Sequence, residues 1–298
     1  MYPILADNKI KHTDMFVEMV YSLIEADIDK EKKKIINLLG RIEAIDAHTD
    51  FYEVLEKAGY EVRDLRQCQK IEEYDEMGEA CLNIVLSEFN LHTAKMMEKK
   101  YKIPYMFWNE CMNPDTIKEN YEKLEKILKC KLDIDELYHT AKEKAEEVRK
   151  VSKGKTFAVG QRLDYWPPKA ACDLVKMGLD VKYVFVDAIR KSDLPYYEWL
   201  MQNYPQIKVY LAPDINMRKF IKNPEPADVM IGTSATFLKH LEGLTDLKLS
   251  EEPYDFMTFI KVMEQMKEQL TINEKPMVKT METDIFAKRW IRYPKGVE

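Results

Sequence analysis

No stretch of this 298-residue chain approaches the roughly 20 consecutive apolar residues that a membrane helix needs. Its first residues, MYPILADNKIKHTD, lack the basic-then-apolar order of a secretory signal. The sequence therefore predicts a cytoplasmic protein with no membrane contact. Cysteine is sparse: Cys68, Cys81, Cys111, Cys130 and Cys172 are odd in number, widely scattered and never arranged as CxxC. That pattern argues against a disulfide framework or a zinc knuckle and predicts reduced thiols. Long basic runs are also missing and the net charge is −6, so no nucleic-acid partner is expected. There is no GxGxxG dinucleotide fingerprint and no GxxxxGK[ST] loop for ATP hydrolysis. HExxH, HxxxH and GxSxG are absent as well, and the five histidines do not cluster. The carboxylate-rich segments Glu72–Glu76 and Glu143–Glu147 read as solvated helix faces.

What is present is a repeat. Lys34 to Val62 (KIINLLGR…VLEKAGYEV) matches Lys155 to Val181 (KTFAVGQR…DLVKMGLDV) at a spacing of about 119 residues. Each copy reads as an apolar strand ending in glycine, a polar loop, an amphipathic helix ending in glycine, and a second strand. Gly40 aligns with Gly160, and Gly59 with Gly178. With 46% apolar residues, the chain has enough material for two cores. The repeat predicts an α/β fold of two tandem Rossmann-like, doubly wound parallel-sheet domains. The expected layout is an N-terminal helix and linker (1–32), a first domain (33–133), a connecting helix (134–153), a second domain (154–245) and a C-terminal helix and tail (246–298). The tail reads equally as an arm on a partner subunit or a frayed end.

Such sheets bind ligands outside the carboxyl ends of their strands. The strand-end candidates in the first domain are Gly40 and Arg41, Gln67 and Cys68, Ser87 and Glu88, and Asn109 to Cys111. In the second domain they are Gly160, Gln161 and Arg162, then Asp187, Pro213 and Asp214, and Gly232 to Ser234 with Thr233 between. Arg41 and Arg162 follow matching glycines; they read either as two cations gripping an anionic ligand from opposite walls or as surface residues capping loops. Cys68 and Cys111 are the two thiols at strand ends, and they are the candidate metal ligands. In the usual strand order two strands separate them, too far at about 4.8 Å per strand for one small cluster held by this chain alone. A cluster shared with another chain remains open.

The run LNIVLSEFNLHTAKMMEKKYKIPYMFWN (Leu82–Asn109) resembles the middle domain of nitrogenase component 1 and its relatives. The resemblance extends to both copies of the repeat and to ADVMIGTSATFLKH, where Asp228 to Gly232 look like the family's last-strand turn. It implies a homo- or hetero-oligomer with nitrogenase-like subunits, an iron–sulfur cluster or metallocofactor, and electrons delivered by a separate ATP-dependent iron–sulfur reductase. The departures matter as much. Only some thirty residues precede the first strand, so the family's cluster-binding N-terminal domain is expected to be missing. Where the family's cofactor-anchoring cysteine would follow a GKT-like start, this chain has Gly154-Lys155-Thr156-Phe157. The family's cofactor-side histidine falls at Ser87. These substitutions argue against dinitrogen reduction. Three functions follow as alternatives: an oxidoreductase subunit, a non-catalytic cofactor scaffold or carrier, and a simple two-lobed small-molecule binding protein.

Overall fold

The computed structural model describes residues 12–40, 49–108, 110–160, 166–211, 227–232, 244–249 and 253–272. Helix α1 (His12–Ser22) leads to β1 (Lys33–Leu39), α2 (Asp50–Lys57), β2 (Glu61–Asp64), α3 (Ile71–Glu76), β3 (Ala80–Val85), α4 (Leu91–Tyr101) and β4 (Tyr105–Phe107). Two long helices follow, α5 (Pro114–Leu128) and α6 (Asp135–Val151). The second sheet is built from β5 (Thr156–Val159), α7 (Pro167–Lys176), β6 (Asp180–Val186), α8 (Leu194–Asn203), β7 (Lys208–Leu211), β8 (Val229–Ile231) and β9 (Thr245–Leu247). Helix α9 (Phe256–Thr271) closes the described chain.

Among the described residues every strand pairing is parallel. The first sheet has the order β2-β1-β3-β4 and the second β7-β6-β5-β8-β9. The expected two tandem Rossmann-like domains are therefore present. The strands are nearly continuous apolar runs because both faces are covered. Along β1, Ile36 and Leu38 enter one core while Ile35 and Leu39 enter another, the period-two split of a strand packed on two sides. Asn37 between them is buried, its Nδ2 donating to the Met77 carbonyl at 2.8 Å and to Asn83 Oδ1 at 2.9 Å, while its own Oδ1 meets no donor among the described residues.

The repeat extends to individual hydrogen bonds. After α2, Gly59 N–H donates to Glu56 O (2.9 Å) and Tyr60 N–H to Leu55 O (3.0 Å). After α7, Gly178 N–H donates to Val175 O (2.9 Å) and Leu179 N–H to Leu174 O (3.0 Å). These are two copies of one Schellman cap, with φ of +81° at Gly59 and +84° at Gly178. The sequence pattern names four strands for the second sheet, and the structure adds β9. That strand is three residues long, with only Leu247 buried, and has no alternation to detect.

One core cluster runs from the first sheet through α5, α6 and α9 into the second sheet, so the lobes share a continuous interior. Its centre is aromatic: Trp108 lies edge-on to Phe51 (5.2 Å between ring centroids) and Tyr121 (4.9 Å), and Tyr121 stacks on Phe256 of α9 (5.5 Å).

Candidate functional site

The carboxyl ends of the strands of both sheets approach one another along a seam. On the first sheet β3 runs out at Ser87 and Glu88, and β4 at Trp108. On the second, β5 leads to Trp166 and the Pro-Pro start of α7, and β6 leads to Asp187–Asp193.

Lys169, in the first turn of α7, is buried at the seam. Its ammonium donates to the backbone carbonyl of Glu110 across the seam and to Asp173 Oδ2 one turn on, at 3.0 Å. The same Asp173 oxygen accepts from Met112 N–H at 3.0 Å. Burial alone would lower the lysine's pKa, but the Asp173 carboxylate, with smaller contributions from Cys111 and Tyr196, outweighs this and raises it. A charged Lys169–Asp173 pair thus ties α7 to the segment after β4. Next to it, Cys111 N–H donates to Pro253 O at 2.6 Å, and Trp108 Nε1–H donates to Tyr254 O at 2.7 Å.

A second approach lies at the ends of β3 and β6. Asp193 is buried, and burial together with the Glu88 carboxylate on the opposite sheet pushes it up to about 6, against the Arg190 backbone N–H that donates to it at 3.0 Å. The Arg190 guanidinium lies over the Trp166 ring, 3.0 Å from its centroid. Glu88, Asp193, Arg190 and Trp166 thus stand at the strand ends of the two lobes, a partly solvated group of charges above the dry seam.

The residues expected from the sequence fall unevenly on this arrangement. Gly40 ends β1 with φ +109°, and a Cβ there would meet Asn90 Nδ2 at 2.7 Å. Only glycine lets the chain pass so close to the turn Glu88–Asn90. Ser87 is buried and precedes that turn; Glu88 is half-exposed. Gly160 donates its N–H to Ile231 O at 2.8 Å, joining the ends of β5 and β8. Arg41, Asn109, Gln161, Arg162, Thr233 and Ser234 lie outside the described residues.

Cys68 and Cys111 do not converge. With β1 and β3 between β2 and β4, the two strand ends are about 14 Å apart, three steps of about 4.8 Å. Burial raises the pKa of both thiols, Cys111 up to about 12 despite the neighbouring Lys169. Cys111 Sγ accepts from Asn120 Nδ2 at 3.7 Å, and Cys68 Sγ donates to Asp64 O at 3.6 Å. A thiol held protonated in a dry environment, as Cys111 is, is a poor metal ligand, and Cys68 is half-buried with its pKa raised as well. Among the described residues, no three His, Cys, Asp or Glu side chains converge into a group that could hold a metal ion. The described residues therefore do not fit a resident iron–sulfur cluster.

Lys169, Asp173, Trp166, Arg190 and Asp193 were not legible as site residues. Lys169 and Asp173 sit four apart on a helix, a spacing typical of exposed ion pairs. The two prolines ahead of Lys169 are the available signal, since they fix where the first turn of α7 begins.

A family model described as nitrogenase component 1 type oxidoreductase matches residues 7–247. The chain belongs to that family. Among solved structures, nitrogenase Cp1 at pH 6.5 superposes with a TM-score of 0.69 at 15% identity, over 87% of this chain and 65% of that one. Nitrogenase Cp1 at pH 5 gives 0.58 at 18% identity, over 87% and 61%. These likenesses show a shared fold. This family member spans about 65% and 61% of the length of those two chains. No curated protein sequence matches it. Among the described residues no helix is long and apolar enough to cross a membrane.

Proposed function

We propose that this chain is the ligand-binding subunit of a nitrogenase-like oxidoreductase complex. A substrate or metallocofactor is taken up between the strand ends of the two sheets, and electrons come from an ATP-dependent iron–sulfur reductase in the same cytoplasmic assembly. The observation that carries the reading is the approach of the two sets of strand ends, through Lys169 to Glu110 and Glu88 to Asp193. Open parallel sheets bind ligands at that edge. Arg41 and Arg162, which follow the ends of β1 and β5 in sequence, would bring the cations for an anionic group. Any cluster ligands come mainly from another chain, since the described residues supply no set of their own.

The test is anaerobic purification of the full chain, alone and after co-expression with a nitrogenase-type reductase and component 1 subunits. Iron retained in the complex, together with loss of ligand binding in Arg41→Ala/Arg162→Ala, supports the reading. An iron-free complex removes the redox role, and an unchanged affinity in the double variant removes the site.

One observation favours a second reading, a cofactor carrier or assembly scaffold: the two strand-end thiols are held protonated and apart. In that case the purified complex releases its ligand to a longer component 1 protein without turning over substrate.

A further inference from the structure

Two carboxyl groups meet in the interior where α2 and α9 begin. Asp50 is the first residue of α2, and Asp255 is the N-cap of α9; both are buried to 1% exposure or less. Asp50 Oδ1 accepts from Met257 N–H at 2.7 Å, and its Oδ2 accepts from Tyr121 O–H at 3.1 Å and Phe256 N–H at 3.3 Å. Asp255 Oδ1 accepts from Thr258 N–H at 2.7 Å and Thr258 Oγ1 accepts from Asp255 N–H at 3.2 Å, a complete capping box, and the Thr258 hydroxyl also donates to Asp255 Oδ1 at 2.5 Å. The bonds from the Phe256 and Met257 amides, the two that follow Asp255 in the chain, bring the Asp50 carboxyl beside that of Asp255. The Phe51 amide approaches Asp255 as well, yet Asp255 Oδ2 is left buried without a partner from any N–H or O–H within reach.

Two carboxylates have no hydrogen to place between them, so a bond between them requires a proton. Among the described residues, the groups around the pair do not neutralise it. From α5 comes Tyr121 and from the segment before α9 Tyr254; Tyr138 of α6 meets the Phe256 ring and gives its hydroxyl to Asp115 at 2.7 Å. From β4 comes Trp108, edge-on to Tyr121. The amides at the start of α9 contribute only partial positive charge.

We propose that Asp50 and Asp255 share one proton, and that this proton is a pH-sensitive clasp holding the start of α9 against α2 and α5. The inference stands apart from the functional reading above. Burial first, and the neighbouring Asp255 next, hold the Asp50 carboxyl well above the usual carboxylate range, in line with Asp50 as the proton's carrier. The folded chain keeps a proton that the unfolded chain gives up above ordinary carboxyl pKa values. Folding is therefore favoured at low pH and loses ground as pH rises, until Asp50 ionises in the folded state. Beyond that point two anions face each other in a dry seam, and α9 loosens at its start.

The experiment uses the full chain and Asp255→Asn. The substituted amide supplies an N–H where the proton sits and retains the oxygen that caps α9. In wild type the folded-to-unfolded ratio should lose about one extra factor of ten per pH unit relative to the variant, over the range where only the unfolded Asp50 is ionised. With ¹³C-labelled aspartate, the infrared spectrum of wild type at slightly alkaline pH should keep the carbonyl band of a protonated acid, and Asp255→Asn should lose it. Parallel pH slopes in the two proteins, or no protonated-acid band in wild type, overturn the clasp. Asp50→Asn is read the same way if Asp255→Asn does not fold, and the wild-type spectrum decides alone if neither does.

Discussion

Lys169 holds its charge in the interior, against the Asp173 carboxylate and the Glu110 carbonyl. Removing one partner strands the other. Lys169→Met should cost about 3–5 kcal/mol in urea unfolding, because Asp173 is left buried without its cation, whereas adding Asp173→Asn should return part of that loss. Additive effects of the two changes would mean the pair is not coupled. A second prediction concerns Asp193, raised to about 6 by burial and by Glu88 opposite. The folded state binds this proton more tightly than the unfolded state, so its contribution to stability is full below about 4 and is lost as pH rises to about 6. Glu88→Gln should move the Asp193 titration toward ordinary values, read by carboxyl-carbon NMR. An unmoved titration would separate the two strand ends that the functional reading brings together. At this scale the sequence was only partly legible. Gly40, Ser87 and Glu88 could be placed at strand ends from pattern alone. A buried lysine has the same letter as an exposed one, and Lys169 is distinguished only by what the other lobe sets against it.

The elements were far more legible, because their signals are local. Strands β5, β7 and β8 coincide with the short apolar runs at Thr156–Val159, Lys208–Leu211 and Val229–Ile231, and α5, α7 and α8 carry proline in their first turn. The matched glycines after α2 and α7 adopt matched left-handed geometry for the same reason that they match in sequence. Gly59→Ala and Gly178→Ala should each cost about 1–2 kcal/mol by thermal unfolding. Gly178→Ala should be the worse of the two. A Cβ at Gly59 meets nothing within 4 Å, but at Gly178 it would lie 3.1 Å from Arg149 Cδ. Equal losses would mean that backbone strain alone decides both sites. What escaped, such as β9 and the short turns after β2 and β3, is too brief to carry a period.

At the scale of the molecule, two sheets share a single interior. Trp108, Tyr121, Phe51 and Phe256 join the first lobe to the last helix, and α9 adds ion pairs to α6 through Lys267–Glu147 and Lys144–Glu264, each at 3.0 Å. Those exposed pairs contribute little beside the buried rings. The protein should unfold in one cooperative step, with Trp fluorescence and far-ultraviolet dichroism coincident. Two separated transitions would show that the lobes are energetically independent. No local pattern reports this coupling, since the sequence shows a duplicated unit and a duplicated unit suggests independence.

Phe256 also sets a timetable. The ring that stacks on Tyr121 is encoded more than a hundred codons after it, so a ribosome makes the whole described second sheet before the first lobe's interior receives that ring. Domain-by-domain folding during synthesis, the usual protection of two-lobed chains, is therefore interrupted here. The emerging N-terminal half must wait with Trp108 and Tyr121 uncovered. A chaperone that shields aromatic surface should raise the yield of this protein more than that of a chain whose halves close independently.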